Sequence, residues 1–175
     1  MTERDIPLLV VVTGAPGVGK TTLARALAAE LQLPLLAKDD VKEALFDSLG
    51  TGGVARSNEL GAASFEVLFR VADTLLRSGV SCIVEANFSY EEPFRALPAA
   101  RIVQLVCVAP TDVVLERYAN RTRHPGHVDT VRVDEVRGRI EADEWQALDL
   151  GGEAIEIDTA TPVDVPDLAR RVVSE

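Results

Sequence analysis

Residues 10–27 read VVVTGAPGVGKTTLARAL: an apolar run, a glycine-rich turn and a helical pattern, with nothing between them. Gly14 to Thr21 satisfy G-x-x-x-x-G-K-[ST] at every fixed position, and the match lies between a strand and a helix, as its chemistry requires. The glycines let the backbone approach an anion closely, so that successive N–H groups face inward. The helix behind them adds the positive end of its dipole. Gly14, Ala15, Pro16, Gly17, Val18, Gly19, Lys20, Thr21 and Thr22 form the candidate phosphate-binding set. Lys20 is expected on the β- and γ-phosphates and Thr21 on Mg²⁺, which points to a nucleoside triphosphate.

Outward from this seam, strand-like and helix-like segments alternate. Strands are expected over 8–13, 35–37, 81–86, 102–108 and 154–157. Leu23, Leu27 and Leu31 recur at i, i+4, i+8 and mark the first helix. Further helices are expected over 40–49, about 58–78, 111–121 with Thr111 as N-cap, 131–148 and 165–172. The glycine-rich stretch 50–61 reads as a loop. The pattern predicts an α/β fold: a three-layer, five-stranded parallel sheet with helices on both faces, joined by right-handed crossovers. Ligands of such sheets bind beyond the carboxyl ends of the strands. The chain is expected to form a single domain over 1–175.

Composition narrows the partners. The chain has 175 residues, 47% of them hydrophobic, which suits one globular core. No run of about 18 apolar residues is present, so no membrane span is expected. Residues 1–5 carry Glu3, Arg4 and Asp5 and lack a secretory h-region, which makes cytoplasm the expected compartment. Cys82 and Cys107 lie apart in apolar runs and read as buried, reduced thiols. A net charge of −10 argues against nucleic acid as a partner. The cations are nevertheless concentrated: the only lysines are Lys20, Lys38 and Lys42, and Arg117, Arg121, Arg123, Arg132, Arg137 and Arg139 form a second cluster. Such clustering suits a small anion. Nothing in the sequence sets an oligomeric state.

The residues after each strand supply the chemistry. After the second strand, Asp39 is expected to face the cleft as proton acceptor for a substrate hydroxyl, with Asp40 as the helix cap. Lys42 is a candidate for a negative group on that acceptor. Glu85, closing the third strand, is expected to order Mg²⁺ or its water shell; Asn87, Phe88 and Tyr90 are placed to line the acceptor pocket. Arg117 and Arg121 share a helix face. With Arg123 they are candidates to neutralise charge in transfer, delivered from an arginine-rich lid over about 121–130. His124 and His127 read as lid structure or acceptor contacts. Asp158, Thr159 and Thr161, after the last strand, are expected beside the nucleotide base.

Taken in order, GAPGVGKTT, KDDVKEALFD, VEANF, RTRHPGH and the terminal IDT resemble a small P-loop kinase of the nucleoside-monophosphate-kinase-like group. Within it they are similar to the branch holding zeta toxins, chloramphenicol phosphotransferase and the kinase domain of phage polynucleotide kinase. The resemblance implies that Asp39 accepts the acceptor's proton, that Lys42 matches a basic residue three positions on, and that lid arginines correspond to 117–123. It also implies adenine between the lid and the loop after the last strand. The third strand of the family often ends in aspartate where this chain has Glu85. The expectation is therefore an ATP- and Mg²⁺-dependent kinase with a small-molecule hydroxyl acceptor. The alternatives are a nucleotide-hydrolysing switch or ATPase, and a polynucleotide 5′-kinase. A guanine-reading N-K-x-D is absent.

Overall fold

The computed structural model describes residues 6–127 and 133–174. Five parallel strands form one sheet in the order β2-β3-β1-β4-β5. They are β1 (Leu8–Gly14), β2 (Leu35–Ala37), β3 (Cys82–Glu85), β4 (Arg101–Val108) and β5 (Glu153–Asp158). The helices are α1 (Lys20–Leu31), α2 (Lys38–Leu49), α3 (Gly53–Arg77), α4 (Glu92–Arg95), α5 (Thr111–Asn120), α6 (Val133–Glu141) and α7 (Val165–Val173).

The central strand explains the architecture. All seven residues of β1 are buried, which is why its sequence is apolar without alternation. Successive side chains still point to opposite faces. Val10 and Val12 pack with Leu23, Ala24 and Leu27 of α1 and Leu168 and Val172 of α7. Leu9 and Val11 pack on the other face with Leu68, Ala72 and Leu76 of α3. Each fully buried leucine or valine contributes about 1.5–3 kcal/mol. In-register pairing of Val12 with Glu85 and of Gly14 with Cys107 brings the carboxyl ends of β1, β3 and β4 to one edge.

Several boundaries depart from the sequence reading. Helix α2 begins at Lys38, directly after β2, with Ala37 at the N-cap. Asp40 therefore does not cap it. Helix α3 begins at Gly53, so most of the expected 50–61 loop is helical; Ser57, Leu60, Gly61, Ser64 and Leu68 form its buried stripe. Thr111 is the first helical residue of α5 rather than its cap, which is Pro110. Helix α6 ends at Glu141, well before 148, where Asp143 takes a left-handed φ of 52°. The short α4 was not anticipated. Residues 128–132, including the expected start of α6, lie outside the described residues, as do 1–5.

Candidate active site

A cavity of about 610 Å³ opens at the carboxyl edge of the sheet, within the usual size of a small-molecule site. Its floor is the loop between β1 and α1. Gly14 and Gly17 hold φ of 139° and 91°, a region closed to most L-residues. A Cβ on Gly17 would also stand 2.8 Å from the Val114 carbonyl oxygen. The loop is thus folded tightly against α5, and only glycine fits. Lys20 donates from Nζ to the Ala15 carbonyl at 3.0 Å, arching over the loop. Burial lowers the pKa of this ammonium; the Glu85 charge opposes that shift, and Arg121 adds to it.

Thr21 donates to Glu85 Oε2 at 3.1 Å. Burial pushes the Glu85 carboxyl up, and Lys20 and the Thr21 hydroxyl only partly reverse it. A hydroxyl and a buried carboxylate beside a glycine cradle fit a Mg²⁺-bound triphosphate. Among the described residues no cluster of three or more histidine, cysteine or carboxylate side chains forms a metal cage. A cation here would complete its shell from phosphate oxygens and water.

On the opposite wall, α2 carries two stripes. Asp39, Glu43 and Asp47 recur at i, i+4, i+8 and meet the 123–127 segment. Arg123 donates to Asp39 Oδ2 at 2.5 Å, His127 Nε2 lies 3.0 Å from Glu43 Oε1, and His124 Nε2 lies 3.1 Å from Asp47 Oδ1. His124 also stacks on Phe46, with ring centroids 5.4 Å apart and planes 1° from parallel. Gly126 sits against the same ring so closely that a Cβ there would overlap it. Burial pushes the Asp39 carboxyl up, but Lys38, Arg123 and His127 more than reverse this and hold it well below the usual carboxylate range. The second stripe is Lys38, Lys42 and Phe46: the two lysines meet α3, where buried Lys42 donates to Ser57 Oγ at 2.8 Å, while the Phe46 ring meets the 124–127 segment.

The expected residues divide accordingly. Lys20, Thr21, Thr22, Asp39, Lys42, Glu85, Asn87, Arg117, Arg121 and Arg123 all line the cavity. Asp40 points outward to Arg25 at 2.9 Å. Phe88 is corrected: it is 3% exposed and packs with Phe65, Phe69 and Phe94. It is not among the residues that line the cavity. Tyr90 is exposed beside Phe65, outside the cavity. Arg117 donates to the carbonyls of Val18 at 3.4 Å and Thr159 at 3.2 Å. Arg121 stacks its guanidinium 4.3 Å from the Tyr118 ring centroid. Residues 128–130 of the expected lid and Arg132 lie outside the described residues.

Sequence reasoning missed Ser57, which lines the cavity, and Glu43, which holds His127; it had Lys38 only as one of a cation cluster suited to a small anion. Thr159 and Thr161, expected beside the base, both line the cavity, and the Thr159 hydroxyl meets the carbonyls of Val18 and Val108, joining the phosphate loop to the end of β5. Glu135, Val136 and Arg139 of α6 and Pro162, Val163 and Val165 also line the cavity.

Known proteins share this fold. An adenylyl-sulfate kinase of Chloroflexus aurantiacus is 37% identical over 117 residues, 63% of this chain and 60% of that protein. The chain therefore spans about 60% of the length of this curated relative. The crystal structure of a candidate kinase from Chloroflexus aurantiacus superposes with a TM-score of 0.87 at 37% identity, over 96% of this chain and 97% of that one. A sugar kinase of Janibacter sp. HTCC2649 shares the fold, with a TM-score of 0.64 at 22% identity over 95% and 92% of the two chains. A family model described as an AAA domain matches residues 9–142, well over half the sequence, and the chain belongs to that family, on a P-loop kinase fold.

Proposed function

We propose that the protein is an ATP- and Mg²⁺-dependent small-molecule kinase that phosphorylates a hydroxyl acceptor. The observation that carries this reading is the position of Asp39. Its ionised carboxylate shares one cavity with the phosphate loop, facing Lys20 across the cleft. A hydrolase needs no such built acceptor wall.

In this reading Lys20 and the loop amides hold the β- and γ-phosphates, and Thr21 with Glu85 holds the magnesium shell. Magnesium supplies charge neutralisation at the phosphate oxygens when bound. Asp39 accepts a hydrogen bond from the acceptor hydroxyl and orients its oxygen. The bond from γ-phosphorus to the ADP oxygen breaks, a new bond forms to the acceptor oxygen, and the hydroxyl proton passes to Asp39. Arg121 and Arg123, in the described part of the lid expected over about 121–130, neutralise charge on the transferring group. Arg117 holds the loop in shape.

A cytoplasmic setting belongs to the same proposal, since ATP, Mg²⁺ and reduced thiols coexist there. Burial pushes the Cys82 and Cys107 thiols up to about 11 and about 12, which leaves them inert. No helix among the described residues is long and apolar enough to cross a membrane.

The test is ADP release from ATP·Mg²⁺ against a panel of nucleosides, sugars, sugar acids, aminoglycosides, adenylyl sulfate and DNA ends. Release that depends on a hydroxyl compound is expected. Equal turnover without any acceptor would convert the reading to an ATPase, and turnover only with DNA ends to a polynucleotide kinase.

A further inference from the structure

Lys38 and Lys42 converge on one notch in α3. A Cβ built on Gly61 would have three nearest neighbours, all of them lysine atoms: Lys42 Nζ at 3.7 Å, Lys42 Cε at 3.8 Å and Lys38 Nζ at 4.0 Å. Two ammonium groups therefore border a single small space, made available because residue 61 has no side chain. The Ser57 hydroxyl, one turn back on α3, lies 2.8 Å from Lys42 Nζ and adds a third polar group to the same patch. The rings of Phe65 and Phe46 back the Lys38 and Lys42 ammonium groups at 5.6 and 5.3 Å, within cation–π reach. Lys38, Asp39, Lys42 and Ser57 all open into the cavity.

Two like charges brought together beside a cavity, in a chain of net charge −10, are arranged for an anion. The phosphate loop is the site for the triphosphate, with its own Lys20. The lysine pair stands on the acceptor side, and Lys38 donates to Asp39 Oδ1 at 3.2 Å. A ligand anion in the notch would be fixed next to the carboxylate that orients the hydroxyl.

We infer that the acceptor is an anionic hydroxy compound, whose carboxylate or phosphate group binds between Lys38 and Lys42 over Gly61 while its hydroxyl meets Asp39. This rests on the kinase reading and specifies its substrate class. Carboxylate and phosphate share the relevant chemistry, two oxygens able to accept charge-assisted hydrogen bonds.

The test measures kcat/KM with ATP·Mg²⁺ for glycerate, gluconate and glycerol phosphate against the matched neutral acceptors glycerol and glucitol. It is run on the wild type, Lys42→Gln and Gly61→Ala. In the wild type at least one anionic acceptor is expected to exceed its neutral match by about tenfold to 100-fold, the worth of a charge-assisted contact. Lys42→Gln should erase that preference. Gly61→Ala separates a ligand role from a structural one. Its methyl meets only ordinary contact distances and improves helix propensity, so the melting temperature should hold or rise while the anionic acceptor's KM rises. Neutral acceptors used as well as anionic ones, or a preference unchanged in both variants, would overturn the inference alone. ATP binding, seen as a raised melting temperature, with no acceptor phosphorylated would overturn the kinase reading and this inference with it.

Discussion

The Arg123 guanidinium lies 2.5 Å from Asp39 Oδ2, a contact that spans 84 positions of sequence and ties the arginine-rich segment to the start of α2. Both partners line the cavity, and Arg123 joins Lys38 and His127 in holding the Asp39 carboxyl below its ordinary range. The consequences reach acid stability as well as chemistry.

Asp39 has a native pKa held below its unfolded value, which is near 3.9. A depressed carboxylate stabilises the fold fully above the unfolded pKa, and that stabilisation is lost as pH falls through the folded one. The melting-temperature gap between wild type and Asp39→Asn should therefore stay constant from about pH 7 to pH 5 and narrow below about pH 4. Arg123→Ala removes part of the depression, so on that background the gap should be smaller at neutral pH and its narrowing should be complete at a higher pH, with the onset near the unfolded pKa unchanged. Thermal melts across a pH series check this; a gap that stays constant into the acid range would show that Asp39 is not depressed.

Lys20 is almost wholly buried, and burial disfavours its charge. For this ammonium burial outweighs the attraction of Glu85, so an uncharged side chain of similar length removes a net cost of the charge. Lys20→Met is expected to melt at or above the wild-type temperature while losing the rise that ATP·Mg²⁺ confers. Differential scanning with and without nucleotide reads both quantities. A lower melting temperature in the variant would mean that attraction to Glu85 outweighs the cost of burial.

Glu85 Oε2 accepts from Thr21, and the variant Glu85→Gln keeps an acceptor oxygen while removing the charge. Partners that orient a metal's ligands typically contribute 10–100-fold in metal affinity. Glu85→Gln should raise the Mg²⁺ concentration for half-maximal ADP release by about that factor. A magnesium titration that matches wild type would place Glu85 outside the metal's surroundings.

Gly126 packs on the Phe46 ring with no room for a side chain. Gly126→Ala should cost about 1–3 kcal/mol through overpacking. It should also loosen the segment that carries Arg123. Adding Phe46→Leu should restore part of that loss, because the smaller side chain relieves the overlap. Urea denaturation of the two single variants and the double variant closes the cycle; strict additivity would show that the two residues do not meet.

The phosphate loop and the sheet were legible because their signals are local. A fixed motif, four apolar runs and the alternating β5 pattern need no knowledge of distant partners. The Asp39, Glu43, Asp47 spacing is also plain in the sequence, but the residues it meets lie about 80 positions later, and only the fold brings them together. The start of α3 was misread because Gly52, Gly53, Ser57 and Gly61 look like loop composition; in the helix Ser57 and Gly61 form a packing face whose smallness, rather than hydropathy, makes it fit. Phe88 was drawn toward the pocket by the scarcity of aromatics. Phe65, Phe69, Phe88 and Phe94 instead gather in one core, a pairing preference that sequence position does not reveal.

The region matched by the family model stops at residue 142, yet the pin on the phosphate loop comes from residue 159. Strand β5 pairs with β4 along its whole length, and α7 closes the apolar face over α1. A fragment trimmed at residue 142 would leave β4 as a bare edge, open to pairing with other chains. It would also leave the Val18 carbonyl without the hydroxyl that braces it. The last 33 residues are thus a brace for the nucleotide grip rather than an appendage to it.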